Sequence, residues 1–252
     1  MPRRLGQHFL VRSSTLERIA AAVCPEPGGT VVEIGPGKGA LTVHLATRAD
    51  RVVAIEIDPV LVQYLQAKFR DEPKVEIVGS DILKADLSRW TPAAVAGNLP
   101  YYITSPILER VLSLRGQWPR AVFLVQKEVA ERLNAVPGSR DFGFLSVQTQ
   151  FYAQVELLMN VPPGAFRPPP KVDSAVVRLT PRAELPADPA LFLKFASQCF
   201  RHKRKTLRNN LLGSYEKELL DSVKETSMRA EQLSIAELVS LREMLNAGKP
   251  CA

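Results

Sequence analysis

The stretch TVVEIGPGKGALTVHLATRA, residues 30–49, decides the architecture. TVVEIG reads as a short strand, glycines follow at 35, 37 and 39, and LTVHLATRA carries a helix pattern. A strand that ends in glycines and opens a helix brings backbone N–H groups close to a ligand. Two phosphate motifs fail on spacing. The dinucleotide fingerprint needs G-x-G-x-x-G where this chain has G-x-G-x-G, and a P-loop needs Lys after glycine and before Ser or Thr, whereas Lys38 precedes Gly39. Such a string also serves as a purely structural turn, so the neighbouring segments must decide.

Outward from this turn, short β-branched runs alternate with helical patterns: RVVAIEID, PVLVQYLQAKFR, VEIVGSD, AAVAGNLP, SPILERVLSLRG and RAVFLVQK. That alternation predicts an α/β fold, a parallel sheet with helices on both faces. Asp58 before Pro59 and Ser105 before Pro106 each place a capping side chain ahead of a first-turn proline. In VPPGAFRPPPK, residues 161–171, six of eleven residues are Pro or Gly, so this segment is expected as a surface loop. SAVVRL, 174–179, reads as the last strand. After Arg182 the pattern turns to leucine-spaced polar segments, which sets a large domain at 1–182 and a small helical domain at 183–252.

Composition bounds the function. Of 252 residues, 46% are hydrophobic and 23% charged, with no apolar run of bilayer length and no charged-then-apolar start. A cytoplasmic protein without membrane partners is expected. Cys24, Cys199 and Cys251 lie far apart and form no C-x-x-C pair, so neither a metal site nor a disulfide framework is indicated. The net charge of +7 favours a polyanionic partner, and the excess is local: RHKRKTLR, 201–208, carries five Lys or Arg and no acid.

Two further strands end in carboxylates, Glu56 and Asp81, at the edge where open α/β sheets bind ligands. One carboxylate on ribose hydroxyls and another on an adenine amino group hold a nucleoside without phosphate contacts, and S-adenosylmethionine is such a ligand. Helix capping is the competing role for both acids. The fourth strand ends at Asn98, in GNLPYYIT, 97–104, a neutral hydrogen-bonding group before large flat rings. An exocyclic adenine amine is a poor nucleophile because its lone pair is delocalised into the ring. Acceptance of its two N–H groups by the Asn98 side-chain oxygen and the Leu99 carbonyl favours the pyramidal nitrogen of a transition state. Tyr101 is placed to stack on the purine, and Pro100 stiffens the turn.

Taken with GQHFL (6–10), EIGPGKGALT (33–42), EIDP (56–59), GNLPYYITSPIL (97–108), VPPGAFRPPPKVDSAVVRL (161–179) and FRHKRKTLRNNL (200–211), the chain resembles the ribosomal RNA adenine N6,N6-dimethyltransferases. The resemblance spans nearly its whole length. It implies a Rossmann-like class I S-adenosylmethionine-dependent methyltransferase sheet with a small C-terminal helical domain. The implied reaction is methylation of two adjacent adenosines near the 3′ end of small-subunit (16S) ribosomal RNA, with a role in subunit maturation. It further implies cofactor contacts from His8, Leu10, Gly35, Gly37, Glu56, Asp81 and Asn98, and a catalytic group of Asn98, Leu99, Tyr101 and Phe166, the last two sandwiching the base. His8 and Tyr102 stand where the family usually has asparagine.

Arg201, Lys203, Arg204, Lys205 and Arg208 are the expected RNA-binding residues, with Arg201, Lys205 and Arg208 on one helix face; Arg3, Arg4 and Arg12 extend the surface. The partner is small-subunit RNA or the assembling subunit. A monomer is expected, since no apolar stripe lacks a core role. Competing readings are a large-subunit adenine methyltransferase of the macrolide-resistance type, a non-catalytic assembly factor, and a DNA adenine methyltransferase, which typically has an acid where Asn98 stands.

Overall fold

A computed structural model describes residues 8–100 and 103–247. They form two compact units, one of residues up to Ala130 with Ala153–Pro181, the other of Glu131–Tyr152 with the residues from Arg182 on. The second unit thus includes 131–152, which the sequence reading gave to the larger domain.

The larger unit opens with β1 (Phe9–Leu10) and α1 (Ser13–Val23). There follow β2 (Thr30–Ile34), α2 (Ala40–Ala46), β3 (Arg51–Glu56), α3 (Pro59–Lys68), β4 (Val75–Gly79), β5 (Ala93–Asn98), α4 (Thr104–Ser113) and β6 (Ala121–Gln126). α5 (Lys127–Leu133) leads into the other unit, whose first helix is α6 (Phe144–Tyr152); the sheet resumes with β7 (Ala153–Val161), β8 (Phe166–Arg167) and β9 (Ser174–Pro181). The main sheet has the order β4-β3-β2-β5-β6-β9-β7, and β1 pairs with β8 in a separate ribbon.

Strands β2 to β6 pair in parallel, whereas β9 pairs antiparallel with both β6 and β7, so β9 runs against the other strands of this sheet. The parallel sheet expected from the alternation is thus extended at one edge by an antiparallel strand. There β7 has a bulge between Leu157 and Met159, which breaks the two-residue alternation and hides the strand in the sequence LLM. Central strands are buried throughout, as Val52, Val53, Ala54 and Ile55 of β3 illustrate. Crossovers run outward from β2 in one direction and from β5 in the other, which with the right-handed connections of parallel strands puts α2 and α3 on one face and α4 on the opposite one. Leu16, Ile19 and Val23 of α1 and Leu41 and Leu45 of α2 pack on Val31, Val52, Ala96 and Leu124 of the sheet.

Asp58 caps α3, its carboxylate accepting from Val60 N at 2.9 Å. Ser105 is not the cap of its helix: α4 begins at Thr104, with its Oγ1 donating to Pro100 O at 3.1 Å. The proline-rich segment is not purely superficial either, because a 3-10 turn (Pro163–Ala165) delivers Ala165 and Phe166 into the core. Gly97, where β5 runs beside Ile34 of β2, admits no side chain: a Cβ there would lie 2.6 Å from the Ile34 carbonyl oxygen.

The second unit also contains α7 (Pro189–Cys199), α8 (Leu207–Leu211), α9 (Lys217–Ser222) and α10 (Ile235–Ala247). Its core is Phe142, Phe151, Phe192, Phe195, Leu207, Leu211 and Leu241, with the Phe151 and Phe192 rings stacked at 4.6 Å. Among the described residues no helix is long and apolar enough to cross a membrane.

Candidate active site

The carboxyl ends of β2, β3, β4 and β5 bring Gly35, Glu56, Asp81 and Asn98 around one cavity of about 580 Å³. It lies where the chain's crossovers diverge, the switch point at which open α/β sheets form ligand crevices. His8, Leu10, Gly37 and Leu99 also line it. Sequence reasoning thus placed these residues together.

Glu56 is 4% exposed. Its Oε1 accepts from Ile57 N at 2.9 Å and Asp58 N at 3.0 Å, and its Oε2 from Gly37 N at 3.1 Å. Burial raises its pKa, opposed by the N–H groups of Asp58, Gly37 and Ile57. A carboxylate has roughly four acceptor positions, so beyond these three contacts it is Oε2 that keeps a further acceptor position. Asp81 Oδ1 accepts from Leu83 N at 3.0 Å, a capping role that leaves Oδ2 for a ligand amine. Both acids therefore make structural hydrogen bonds and still carry an acceptor position at the cavity they line. Gly37, at φ +59°, carries the Phe9 ring where a Cβ would be, 2.8 Å from the nearest ring carbon. A buried carboxylate, an adjacent Asp and left-handed glycines in an otherwise largely apolar cavity suit a nucleoside and not a phosphate ester.

Asn98 Nδ2 donates to the His8 carbonyl at 3.0 Å. Because that partner is an acceptor, the amide orientation is chemically fixed and Oδ1 is the atom left to accept. Leu99 N donates to Leu124 O at 3.0 Å, which anchors the turn to β6 and leaves the Leu99 carbonyl outside that bond. His8 meets the protein through its ring as well, Nδ1 lying 2.9 Å from Pro168 O. Phe166 is 0% exposed, in register with Leu10 across the β1–β8 ribbon. Stacking of its ring on a base, as expected from sequence, requires its surroundings to open. Tyr101, like Tyr102, Arg3 and Arg4, lies outside the described residues.

One lining group escaped the sequence reading. Glu33, 2% exposed, accepts from Thr42 Oγ1 at 2.6 Å. Burial pushes its carboxyl up to about 7; the Thr42 hydroxyl opposes this, the charge of Glu56 adds to it, and Lys68 opposes it. The signal was present as the only acid inside a strand of the decisive stretch. Since the folded pKa exceeds the unfolded one, the folded chain binds the extra proton between about pH 4.5 and 7, and stability falls as pH rises through that window, by about 3 kcal/mol in full. Glu33→Gln keeps an acceptor for Thr42 and cannot ionise. Its urea midpoint is expected to lose that part of the decline between pH 5 and 8; a slope identical to the parent's would refute a neutral Glu33.

In the helical unit the expected basic helix face is absent. α7 ends at Cys199 and α8 begins only after Thr206, whose hydroxyl accepts from Asn209 N at 3.4 Å. Between them, residues 201–205 form exposed turns. Buried Asn210 braces this connection, donating from Nδ2 to Cys199 O at 2.8 Å and His202 O at 3.2 Å while Oδ1 accepts from His202 N at 3.1 Å. Arg208 pairs with Asp221, an acid outside the basic run, and is not a free cation. Lys203 Nζ donates to Arg140 O at 2.7 Å. Arg201, Arg204 and Lys205 remain exposed on the turn.

The model of the ribosomal RNA adenine dimethylase family matches residues 2–247. The ribosomal RNA small subunit methyltransferase A of Acidobacterium capsulatum is 44% identical over 94% of this chain and 89% of its own length. That of Leptothrix cholodnii is 42% identical over 95% and 90%. Among solved structures, a dimethyladenosine transferase from Plasmodium falciparum superposes with a TM-score of 0.82 at 25% identity, covering 95% of this chain and 98% of that one. The 23S rRNA methyltransferase ErmE gives 0.74 at 31% identity, covering 94% and 99%.

Proposed function

The chain belongs to the ribosomal RNA adenine dimethylase family, and from that membership we propose that it methylates the N6 amines of two adjacent adenosines near the 3′ end of small-subunit RNA. It is an S-adenosylmethionine-dependent enzyme, and its substrate is ribosomal RNA. The observation that carries the reading is the Asn98 amide, held by His8 O at the cavity that Glu56 and Asp81 line.

When bound, S-adenosylmethionine supplies an electrophilic methyl group. Glu56, through Oε2, would hold the cofactor's ribose, Asp81 would accept from its adenine amine, and Gly35 and Gly37, which line the cavity, would allow close backbone approach. At the reacting end, Asn98 Oδ1 and the Leu99 carbonyl accept the two N–H groups of the target amine. This favours the pyramidal nitrogen and aims its lone pair. Asn98 does not titrate, so proximity and alignment carry the rate and the proton leaves to solvent after transfer. After the first methylation one N–H remains, enough to keep one of the two hydrogen bonds for the second. Tyr101, outside the described residues, and Phe166 are the two aromatics that the family resemblance assigns to the base.

A flipped adenine costs a few kcal/mol, which phosphate contacts offset. Arg201, Arg204 and Lys205, exposed on their turn, supply such contacts. Arg204→Ala with Lys205→Ala is expected to weaken RNA binding about tenfold and to reduce the slope of log K on log salt by roughly 1.4–1.8. Cofactor affinity measured alongside should not change; its loss would make the turn structural.

Incubation with labelled S-adenosylmethionine and, separately, unmethylated small subunits, large subunits and protein-free RNA tests the whole reading. Dimethylated adjacent adenosines in small-subunit RNA are the expected product. Label confined to large-subunit RNA selects the other class, and tight particle binding without label selects an assembly factor.

A further inference from the structure

The segment 8–10, β1 with the residue before it, touches both the glycine turn and Asn98. The Phe9 ring rests on the glycine turn where a Cβ of Gly37 would sit, and Lys38 Nζ lies 5.2 Å from that ring's centroid. One residue earlier, the His8 carbonyl takes the Asn98 amide at 3.0 Å, across 90 residues of chain. The strand is only two residues long, paired Phe9 with Arg167 and Leu10 with Phe166, and it is tied beyond its end by Val11 N donating to Ala165 O at 2.9 Å.

We propose that this strap is a positioning element for methyl transfer: the His8 carbonyl sets the Asn98 amide so that oxygen, and not N–H2, faces the target amine. The inference rests on the acceptor role proposed for Asn98. An amide flipped by 180° presents donors to a donor and loses the bond that matters. No side chain on strand β5 itself is needed to fix the orientation; a backbone carbonyl from the amino-terminal strap does so. Cofactor turn and reacting amide are then registered to each other through Phe9 and His8, because both contacts belong to one short ribbon.

Val11 is half exposed and does not line the cavity, which makes it a remote handle. Val11→Pro deletes the N–H that anchors the strap to Ala165. Single-turnover methylation of small subunits at saturating cofactor is expected to slow about tenfold in the parent chain, and by no more than about twofold in the Asn98→Ala background, where no amide is left to orient. In ¹⁵N-labelled protein the Asn98 side-chain N–H2 resonances should shift and exchange faster. Equal slowing in both backgrounds, or unmoved Asn98 resonances, overturns the inference. An Asn98→Ala rate equal to the parent's sinks the acceptor role instead, while the resonance shift still reports on the strap. If Val11→Pro does not fold, Phe9→Ala, which removes the ring from Gly37, is run through the same cycle with cofactor affinity measured directly.

Discussion

Asn98→Ala is expected to lower kcat by about 10²–10³-fold with cofactor and RNA both saturating, the range seen when one preorganised hydrogen bond to a developing charge is removed. The argument is differential. In the ground state the adenine amine is planar and its N–H groups are satisfied equally well by water, so the alanine variant should bind RNA nearly as the parent does. In the transition state the nitrogen becomes pyramidal and its N–H groups acidic, and Asn98 Oδ1 is then worth far more. KM for RNA should therefore hold while kcat falls. Asn98→Asp is not a rescue, because a carboxylate oxygen would face the His8 carbonyl where Nδ2 now donates at 3.0 Å. A fall in affinity with kcat preserved would assign Asn98 to binding alone.

How far the sequence was legible depended on the kind of signal. The glycine turn, the acids at the ends of β3 and β4 and the amide at the end of β5 are local features at strand termini, so alternation alone put them on one edge. β7 was hidden because its bulge breaks the alternation by which a strand is recognised. Residues 131–152 joined the helical unit through Phe142, Val147 and Phe151, whose partners 50 or so positions later leave no mark in local pattern. Charge spacing suggested a helix over 201–208, but Thr206 caps a new helix and Asn210 satisfies the carbonyls of Cys199 and His202, so a connecting turn wins. The Asp221 partner of Arg208 was equally invisible to a window of eight residues.

The remaining large effect concerns Glu56, where the fold and the ligand compete for one carboxylate. Glu56→Gln preserves volume and removes one oxygen. Three backbone N–H groups, from Gly37, Ile57 and Asp58, point at this side chain, and an amide can meet them with one oxygen only. Whichever way the glutamine turns, its N–H2 faces a backbone donor. A buried donor left unsatisfied costs about 1–3 kcal/mol, and a hydrogen bond to a charged acceptor lost to a ribose hydroxyl contributes a similar amount. Cofactor affinity is expected to fall about 10²-fold by calorimetry, with kcat at saturating cofactor changed far less than by Asn98→Ala, since Glu56 acts at the strand end of β3 and Asn98 at that of β5. Unaltered affinity together with a lowered urea midpoint would mean that the carboxylate serves only the glycine turn, and the ribose contact would have to be sought at another group on the same edge.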